Sequence, residues 1–309
     1  MRSLVNGKTY GIGELELASL ADLRSRLRSE KGPSAPTKVG IIVGDVRQMH
    51  HQPENACALF QVASQFNLLE MASPRVTPEH GVTRYEHDHT QGPACAIACG
   101  AATIYRNYFA LVDGRPGQTE TRQFDGLREV GVALGRATGR VVGALWQMKN
   151  GYALCSRAGL DAITQHLSTL GNDDLDTLRG RLCIGLQRNV EVTDAPGERH
   201  RSVSQAFCSA LPIAYTSVEP RHWGPFATLL LEAAYEATLL AGVLNARRGA
   251  SKSVFLTQLG GGAFGNRDEW IHTAMQRALK AVSDFGLDVK LVSYGQPSRM
   301  LLDLAQQFG

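Results

Sequence analysis

A glycine-rich loop near residue 260 carries the clearest chemical signal in the chain. Its residues are Gly260, Gly261, Gly262, Ala263, Phe264, Gly265 and Asn266. The loop follows a short apolar run and precedes a helix that we predict to begin near Asp268. Such a turn exposes backbone N–H groups, and the helix start adds partial positive charge. We therefore predict an anion site, most often a phosphate site; a tight turn without a ligand is the alternative.

A second helix start with a glycine lies near residue 92. Thr90, Gln91 and Gly92 precede Pro93, a residue that is well tolerated in the first turn of a helix, and Thr90 is placed to cap that helix. Two glycine-bearing helix starts predict a diphosphate rather than a single phosphate as the ligand.

Polar side chains follow two early apolar runs. Asp45 and Val46 follow residues 39–43 after a single glycine, and Asn67 and Glu70 follow residues 56–63. The carboxyl ends of parallel strands meet at one edge of a sheet, so these side chains are expected to line one cleft with the glycine turns. A carboxylate such as Asp45 can accept the amino group of adenine or a sugar hydroxyl. Together these features predict a nucleotide-type ligand.

The polar segment from residue 72 to residue 91 is long for a connection inside a compact domain. It contains Glu86, His87, Asp88 and His89 in a row. On an extended segment the two histidines would share a side, but two ligands do not make a metal site. We predict no metal and no cofactor.

Composition describes an ordinary globular protein. Of 309 residues, 43% are hydrophobic and 20% charged, and the net charge is only +3. This balance gives no support to a nucleic-acid or membrane partner. The N-terminus lacks the apolar core of a signal peptide, and the six cysteines form no CxxC pair, so a reducing cytosol is the expected compartment, either the cell's own or that of a host.

The elements that must position these residues form a single α/β domain. Residues 1–37 are predicted as an amphipathic helix (13–29) and a linker, residues 38–114 and 201–309 as the core, and residues 115–200 as an α+β insertion. Strands are predicted at 39–43, 56–63, 182–192, 207–218, 254–259 and 289–293. Helices are predicted at 93–109, 125–139, 160–170, 225–244, 268–285 and from 298, with a hairpin at 141–155.

The order of these motifs resembles the macrodomain superfamily, which binds ADP-ribose, including its poly(ADP-ribose) glycohydrolase-like branch. The resemblance rests on Gly44-Asp45-Val46 after a strand, on Asn67, on the helix start at Gly92, and on GGGAFG at 260–265, and it covers about 39–109 and 205–295. It implies a three-layer fold, a mixed sheet flanked by helices. It also implies that Asp45 binds adenine, that Asn67 approaches the distal ribose, and that the two glycine turns wrap the diphosphate.

The first phosphate loop departs from the family pattern. Typical members have N-A-A-N and then a run of glycines, whereas this chain has Gln65-Phe66-Asn67 and only Gly92-Pro93. The catalytic residues of the family are therefore not carried over. Hydrolysis at the distal ribose passes through an oxocarbenium-like state and needs a carboxylate or a positioned water. The candidates are Glu70, Glu86 and Asp88, each of which is alternatively a solvated acid.

We expect an ADP-ribosyl hydrolase that removes ADP-ribose from modified protein. The alternative from a different class is a non-catalytic ADP-ribose reader, which would keep Asp45 and the glycine loop but need no catalytic carboxylate. A structural protein with a vestigial cleft is a third interpretation.

Overall fold

A central seven-stranded sheet organises the chain in a computed structural model, which describes residues 1–29, 34–195 and 201–309. Residues 30–33 of the predicted linker and 196–200 of the predicted insertion lie outside the described residues. The strands are β1 (Glu14–Ser19), β2 (Lys38–Val43), β3 (Leu59–Ala63), β4 (Leu111–Val112), β5 (Arg115–Pro116), β6 (Trp146–Lys149), β7 (Tyr152–Cys155), β8 (Cys183–Glu191), β9 (Ser202–Cys208), β10 (Ser253–Leu256) and β11 (Asp288–Ser293). The helices are α1 (Leu20–Ser29), α2 (Val46–His51), α3 (Gln91–Ala98), α4 (Gly100–Tyr108), α5 (Arg128–Thr138), α6 (Val142–Leu145), α7 (Arg157–Leu167), α8 (Asn172–Gly180), α9 (Gly224–Arg247), α10 (Asp268–Ala281) and α11 (Arg299–Phe308).

The strand order of the central sheet is β1-β8-β9-β3-β10-β11-β2. The five strands from β9 to β2 run parallel, whereas β8 is antiparallel to both β9 and β1. β4 with β5 and β6 with β7 form two small hairpins outside this sheet. The parallel block brings the carboxyl ends of five strands to one edge.

Both faces of the sheet are apolar, which is why helices cover both. In β10, Val254 packs into one buried cluster and the next residue, Phe255, into another. In β3, Leu59 and Phe60 divide in the same way. Successive side chains of a strand point to opposite faces, so the two clusters lie on the two sides of the sheet. This arrangement confirms the predicted three-layer α/β architecture.

The long helix α9 forms the centre of the larger cluster. It is buried along nearly its whole length and packs against α1, α7, α8 and α10. A β-carbon at Gly242 would overlap the side chain of Val254, so the helix lies very close to β10. Its length and apolar composition would suit a membrane span, but burial of this kind is typical of a core helix.

The N-terminal prediction of one helix over 13–29 is wrong in its first half. Residues 14–19 form β1, which pairs with β8, and the helix begins only at Leu20. Leu15 and Leu17 alternate with polar residues, so this short stretch also fits the period of a strand, and pairing with β8 decides between the two. The hydroxyl of Ser19 accepts the N–H of Asp22, which marks the helix start.

Three other boundaries differ from the predictions. The predicted strand at 207–218 lies earlier, as β9, because Pro212 cannot donate to a sheet ladder and a 3-10 turn follows at Ile213–Tyr215. The predicted helix at 93–109 is two helices that meet at Cys99, whose backbone leaves the helical region. The segment 115–200, predicted as an insertion outside the core, contributes β8 to the central sheet.

Candidate functional site

A cleft of about 590 Å³ opens along the carboxyl edge of the parallel strands. It is bordered by one residue after each strand in turn: Asp45 after β2, Tyr294 after β11, Thr257 after β10, Ser64 after β3 and Ala210 after β9. Five neighbouring strands span four spacings, or about 19 Å. The cleft is therefore long enough for an extended ligand with a different chemical group at each end.

Asp45 lies at the β2 end of the cleft. Its Oδ1 accepts the backbone N–H of Arg47 at 2.8 Å, so the carboxylate caps helix α2 while it borders the cleft. Val46 is buried beneath it and also borders the cleft. The guanidinium of Arg47 is held by Asp194, with 2.5 Å between Nε and Oδ2. The sequence thus placed Asp45 correctly at the strand end, next to a cation that it did not identify.

Helix α3 begins against the end of β3. The Oε1 of Gln91 accepts the N–H of Ala63 at 2.8 Å, and its Nε2 donates to the carbonyl of Gln61 at 2.7 Å. The side-chain amide of Gln91 therefore bonds β3 as a neighbouring strand would. Among the described residues, the backbone N–H groups of Gln91 and Gly92 have no hydrogen-bond partner. They are suited to an anion at the helix start.

Gly92 is required where α3 touches the strand. A β-carbon at this position would overlap the carbonyl oxygen of Ala63. We expect Gly92→Ala to push the helix start away from β3 and to lower the free energy of unfolding by about 1–3 kcal/mol. Urea unfolding measures this change. The matched control is Gly143→Ala in α6, where the added methyl group meets nothing within 4 Å, so stability should not fall. Equal effects of the two substitutions would contradict the packing argument.

The glycine loop, which follows β10, also lines the cleft. Gly260, Gly262, Ala263 and Phe264 border the cleft. Gly260 and Gly265 adopt the left-handed conformation with φ of 77° and 74°, so these two turns favour glycine. The N–H of Gly265 donates to the carbonyl of Gly262 at 3.1 Å, which keeps the loop compact. The loop therefore has the position that the sequence predicts.

Three residues of the loop do not border the cleft. Gly261 and Gly265 are exposed elsewhere on the loop, and Asn266 is buried under it. The N–H of Asn266 donates to the carbonyl of Gly260 at 2.9 Å, and its Nδ2 donates to the carbonyl of Leu211 at 2.8 Å. Asn266 closes the loop from below rather than facing a ligand.

Asn67 is not brought to the cleft either. It is fully buried, its Nδ2 donates to Oε1 of Gln123 at 2.8 Å, and its Oδ1 accepts the N–H of Leu69 at 3.1 Å. Leu68 has a φ of 65°, so the chain turns tightly just after the strand. Ser64 and Gln65 border the cleft instead, because β3 ends at Ala63.

Glu70 borders the cleft but is committed to a buried ion pair. Its two carboxylate oxygens lie 2.9 and 3.1 Å from Nη2 of Arg106, and both side chains are inaccessible to solvent. Burial raises the pKa of the Glu70 carboxyl, and Arg106 opposes this shift. Arg106 also covers the ring of Phe207 at 3.8 Å. The geometry gives Glu70 a supporting role below the cleft.

Asp88 is the predicted acid with the best-defined geometry toward the cleft. Its Oδ1 accepts the N–H of Thr90 at 2.9 Å and the hydroxyl of Thr90 at 2.6 Å. Thr90 therefore does not cap α3 with its side chain, contrary to our expectation. Within the described part of the chain, Oδ2 of Asp88 has no hydrogen-bond partner. Glu86 also borders the cleft, but it is exposed and lies 3.3 Å from Nε2 of His87.

In residues 1–29, 34–195 and 201–309, no group of three or more His, Cys, Asp or Glu side chains is arranged to hold a metal ion. His87 is exposed and His89 borders the cleft. Cys95 and Cys99 are fully buried, and burial raises the pKa of both thiols, so they are packing residues.

Three aromatic rings lie together at the β9 end of the cleft. Tyr152 is 5.0 Å from Tyr215 and 5.3 Å from Phe264, and Tyr215 meets Phe264 edge-on at 5.6 Å. The hydroxyl of Tyr152 donates to the carbonyl of Met71 at 2.5 Å, which fixes its ring. Sequence reasoning missed both tyrosines. Their only signal was that Tyr152 follows the hairpin turn Asn150-Gly151, which gives no indication of the cleft.

Comparisons with known proteins concern the fold. No protein-family model and no curated protein matches the chain. Poly(ADP-ribose) glycohydrolase from Deinococcus radiodurans in complex with ADP-ribose is similar in structure, with a TM-score of 0.50, 13% sequence identity, and coverage of 95% of this chain and 92% of that chain. In another crystal form of that complex the TM-score is again 0.50, at 13% identity, with 95% and 93% covered. These structures share the fold of this chain, and the predicted three-layer α/β fold with a mixed sheet is confirmed.

Proposed function

We propose that the cleft binds ADP-ribose and that the chain hydrolyses the bond that joins ADP-ribose to a modified protein. One observation carries the proposal: a carboxylate, two N–H-rich turns and a held acid lie along a single cleft of five strand ends. The glycohydrolases with this fold were crystallised with ADP-ribose, which is consistent with that order of groups.

The proposed binding mode follows the sheet from β2 to β9. Asp45 accepts the amino group of adenine at the β2 end. The diphosphate lies between the free N–H groups at Gln91 and Gly92 and the glycine loop at Gly260–Phe264, where no carboxylate is needed and backbone donors suffice. The distal ribose then reaches the β9 end, beside Phe264 and Asp88.

The proposed reaction uses water as the second substrate. As the bond from the anomeric carbon of the distal ribose breaks, its electron pair leaves with the departing group and the ribose takes on oxocarbenium character. Oδ2 of Asp88 accepts a proton from the attacking water, whose oxygen forms the new bond. The bonds from Thr90 hold Oδ1, so the other oxygen keeps a fixed direction.

A reader without catalytic activity is the second candidate. It is favoured by the ion pair of Glu70 with Arg106, which removes one of the three predicted acids from chemistry. Binding without release of ADP-ribose from modified protein would select this candidate. The six cysteines are all free thiols, which supports a reducing cytosol as the compartment for either activity.

Calorimetry with ADP-ribose tests the premise that both candidates share. We expect saturable binding, and we expect Asp45→Ala to weaken it roughly tenfold or more, because the adenine amino group loses a charged acceptor. Asp161→Ala, which removes an exposed acid paired with Arg157, is the control and should bind as the unchanged protein does. Absence of heat at millimolar ADP-ribose would reject both functions. Release of ADP-ribose from a modified protein then separates hydrolase from reader.

A further inference from the structure

The β9 end of the cleft has a composition that the ADP-ribose moiety does not explain. Tyr152, Tyr215 and Phe264 contact one another there within 5.0 to 5.6 Å between ring centroids. Tyr152 is buried and fixed through its hydroxyl, whereas Tyr215 and Phe264 are half-buried and present part of their surface. One ring is enough to cover a ribose, so the two partly exposed rings, Tyr215 and Phe264, provide surface for a further group.

The acids on the segment before α3 border the same cleft as the three rings. Asp88 and Glu86 border the cleft on the segment before α3. Tyr152, Tyr215 and Phe264 border the same cleft as these two acids. Burial raises the pKa of Tyr152, and Tyr215 and the charge of Asp88 add to this rise. Among the described residues that border the cleft, Arg47 is the one arginine or lysine, and it lies at the β2 end in a salt bridge to Asp194.

Aromatic faces and carboxylates together are the protein groups that attract an organic cation. The ring quadrupole draws a positive charge over its face, and a planar cation also stacks on it. A neutral ester, ether or sugar would gain only apolar contact from the rings and nothing from the two carboxylates. The phosphates of the ligand are repelled from this end and stay at the backbone N–H groups.

We propose that the β9 end receives a planar leaving group that carries a positive charge while it is bonded to the distal ribose, so that the bond hydrolysed is a carbon–nitrogen bond to a guanidinium or pyridinium nitrogen. The inference rests on the proposed function and specifies its substrate class. Water adds its oxygen to the anomeric carbon, and the nitrogen keeps the electron pair of the broken bond. A guanidine then takes up the proton released by water, whereas a pyridine leaves neutral and that proton passes to solvent.

Three substrates with the same ADP-ribose moiety test this inference: a peptide modified on arginine, a peptide modified on serine, and the dinucleotide NAD. We expect kcat/KM for the arginine peptide or for NAD to exceed that for the serine peptide by roughly tenfold or more. Comparison of the arginine peptide with NAD shows whether the cationic group belongs to a protein side chain or to a free dinucleotide. A serine peptide that is hydrolysed as fast as both cationic substrates would overturn the inference.

Two variants locate the preference. Glu86→Gln removes a charge from an exposed side chain and cannot disturb the core, and Tyr215→Leu removes a ring, with Tyr215→Phe as the matched variant that keeps it. Glu86→Gln and Tyr215→Leu should lower the ratio of cationic to neutral kcat/KM at least about threefold, and Tyr215→Phe should not. If kcat/KM fell equally for all three substrates, these residues would only position the shared ADP-ribose moiety, and the inference would be rejected.

The failure of the hydrolase proposal would be visible separately. If ADP-ribose binds but none of the three substrates is hydrolysed, the chain is a reader. The affinities of the same three compounds then decide the inference, because the rings and carboxylates act on the bound cation in either case. Tighter binding of the arginine peptide or NAD than of the serine peptide supports it, and equal binding overturns it.

Discussion

Asp88→Asn is expected to lower the rate of ADP-ribose release about 100-fold or more. Asparagine keeps an oxygen that can accept both hydrogen bonds from Thr90, so the segment before α3 retains its shape. What is lost is the carboxylate that takes the proton from water. The affinity for ADP-ribose should change little, because the substitution leaves the adenine and diphosphate contacts in place. Single-turnover release from a modified protein gives the rate, and calorimetry gives the affinity.

The control for this experiment is Asp161→Asn, on the exposed face of α7, which should release ADP-ribose at the unchanged rate. If Asp88→Asn also kept that rate, the base would lie elsewhere, and Glu86 would be the next candidate on the same segment. If release fell only in proportion to a loss of affinity, Asp88 would be a binding residue.

Arg106→Met is expected to lower the free energy of unfolding by about 3–5 kcal/mol. The substitution leaves the carboxylate of Glu70 buried without its partner, and it removes the cation over the ring of Phe207. The guanidinium also donates to the carbonyl of Leu68 at 2.6 Å, in the turn after β3, so the floor of the cleft should loosen. Urea unfolding monitored by fluorescence measures the loss.

The loss should depend on pH in a defined direction. Burial already raises the pKa of Glu70 above its ordinary value of 4.5, and loss of Arg106 removes the strongest interactions that oppose that rise. The carboxyl of the folded variant then holds its proton at a pH where the unfolded chain has released it. The deficit should therefore shrink below pH 4.5 and grow as the pH rises through the folded pKa.

Two substitutions control this prediction. The double variant Arg106→Met with Glu70→Gln removes the buried charge, so it should recover part of the stability and lose the pH dependence. Arg157→Met breaks an exposed ion pair with Asp161 and should cost less than about 1 kcal/mol. A deficit for Arg106→Met that is equally small would mean that the ion pair contributes little.

The parts of the site that sequence predicts are those set by local geometry. Asp45 lies two residues after β2 and Gly260 four residues after β10, and each strand end is recognisable from an apolar run and the turn residues after it. Asn67 follows its strand too, but a tight turn at Leu68 buries it. One residue more or less in such a turn decides between the cleft and the core, and the sequence pattern does not resolve that difference.

The parts that sequence did not predict depend on distant partners. Arg106 lies 36 residues after Glu70, and only the folded chain reveals that the two neutralise each other. Tyr152 and Tyr215 come from a hairpin and from a turn after β9, and they meet only because both segments pack beside the glycine loop. In the same way, residues 14–19 form the strand β1 because their backbone pairs with the edge of β8.

The amide of Gln91 has a mechanical consequence for the cleft. Through it, the start of α3 is bonded to β3, while the glycine loop follows β10, and β3 and β10 are paired neighbours in the sheet. The distance between the two anion-binding walls is therefore set by the hydrogen-bond spacing of the sheet, about 4.8 Å per strand. This distance is fixed when the protein folds. The conformational entropy of the two segments is therefore lost on folding rather than on ligand binding.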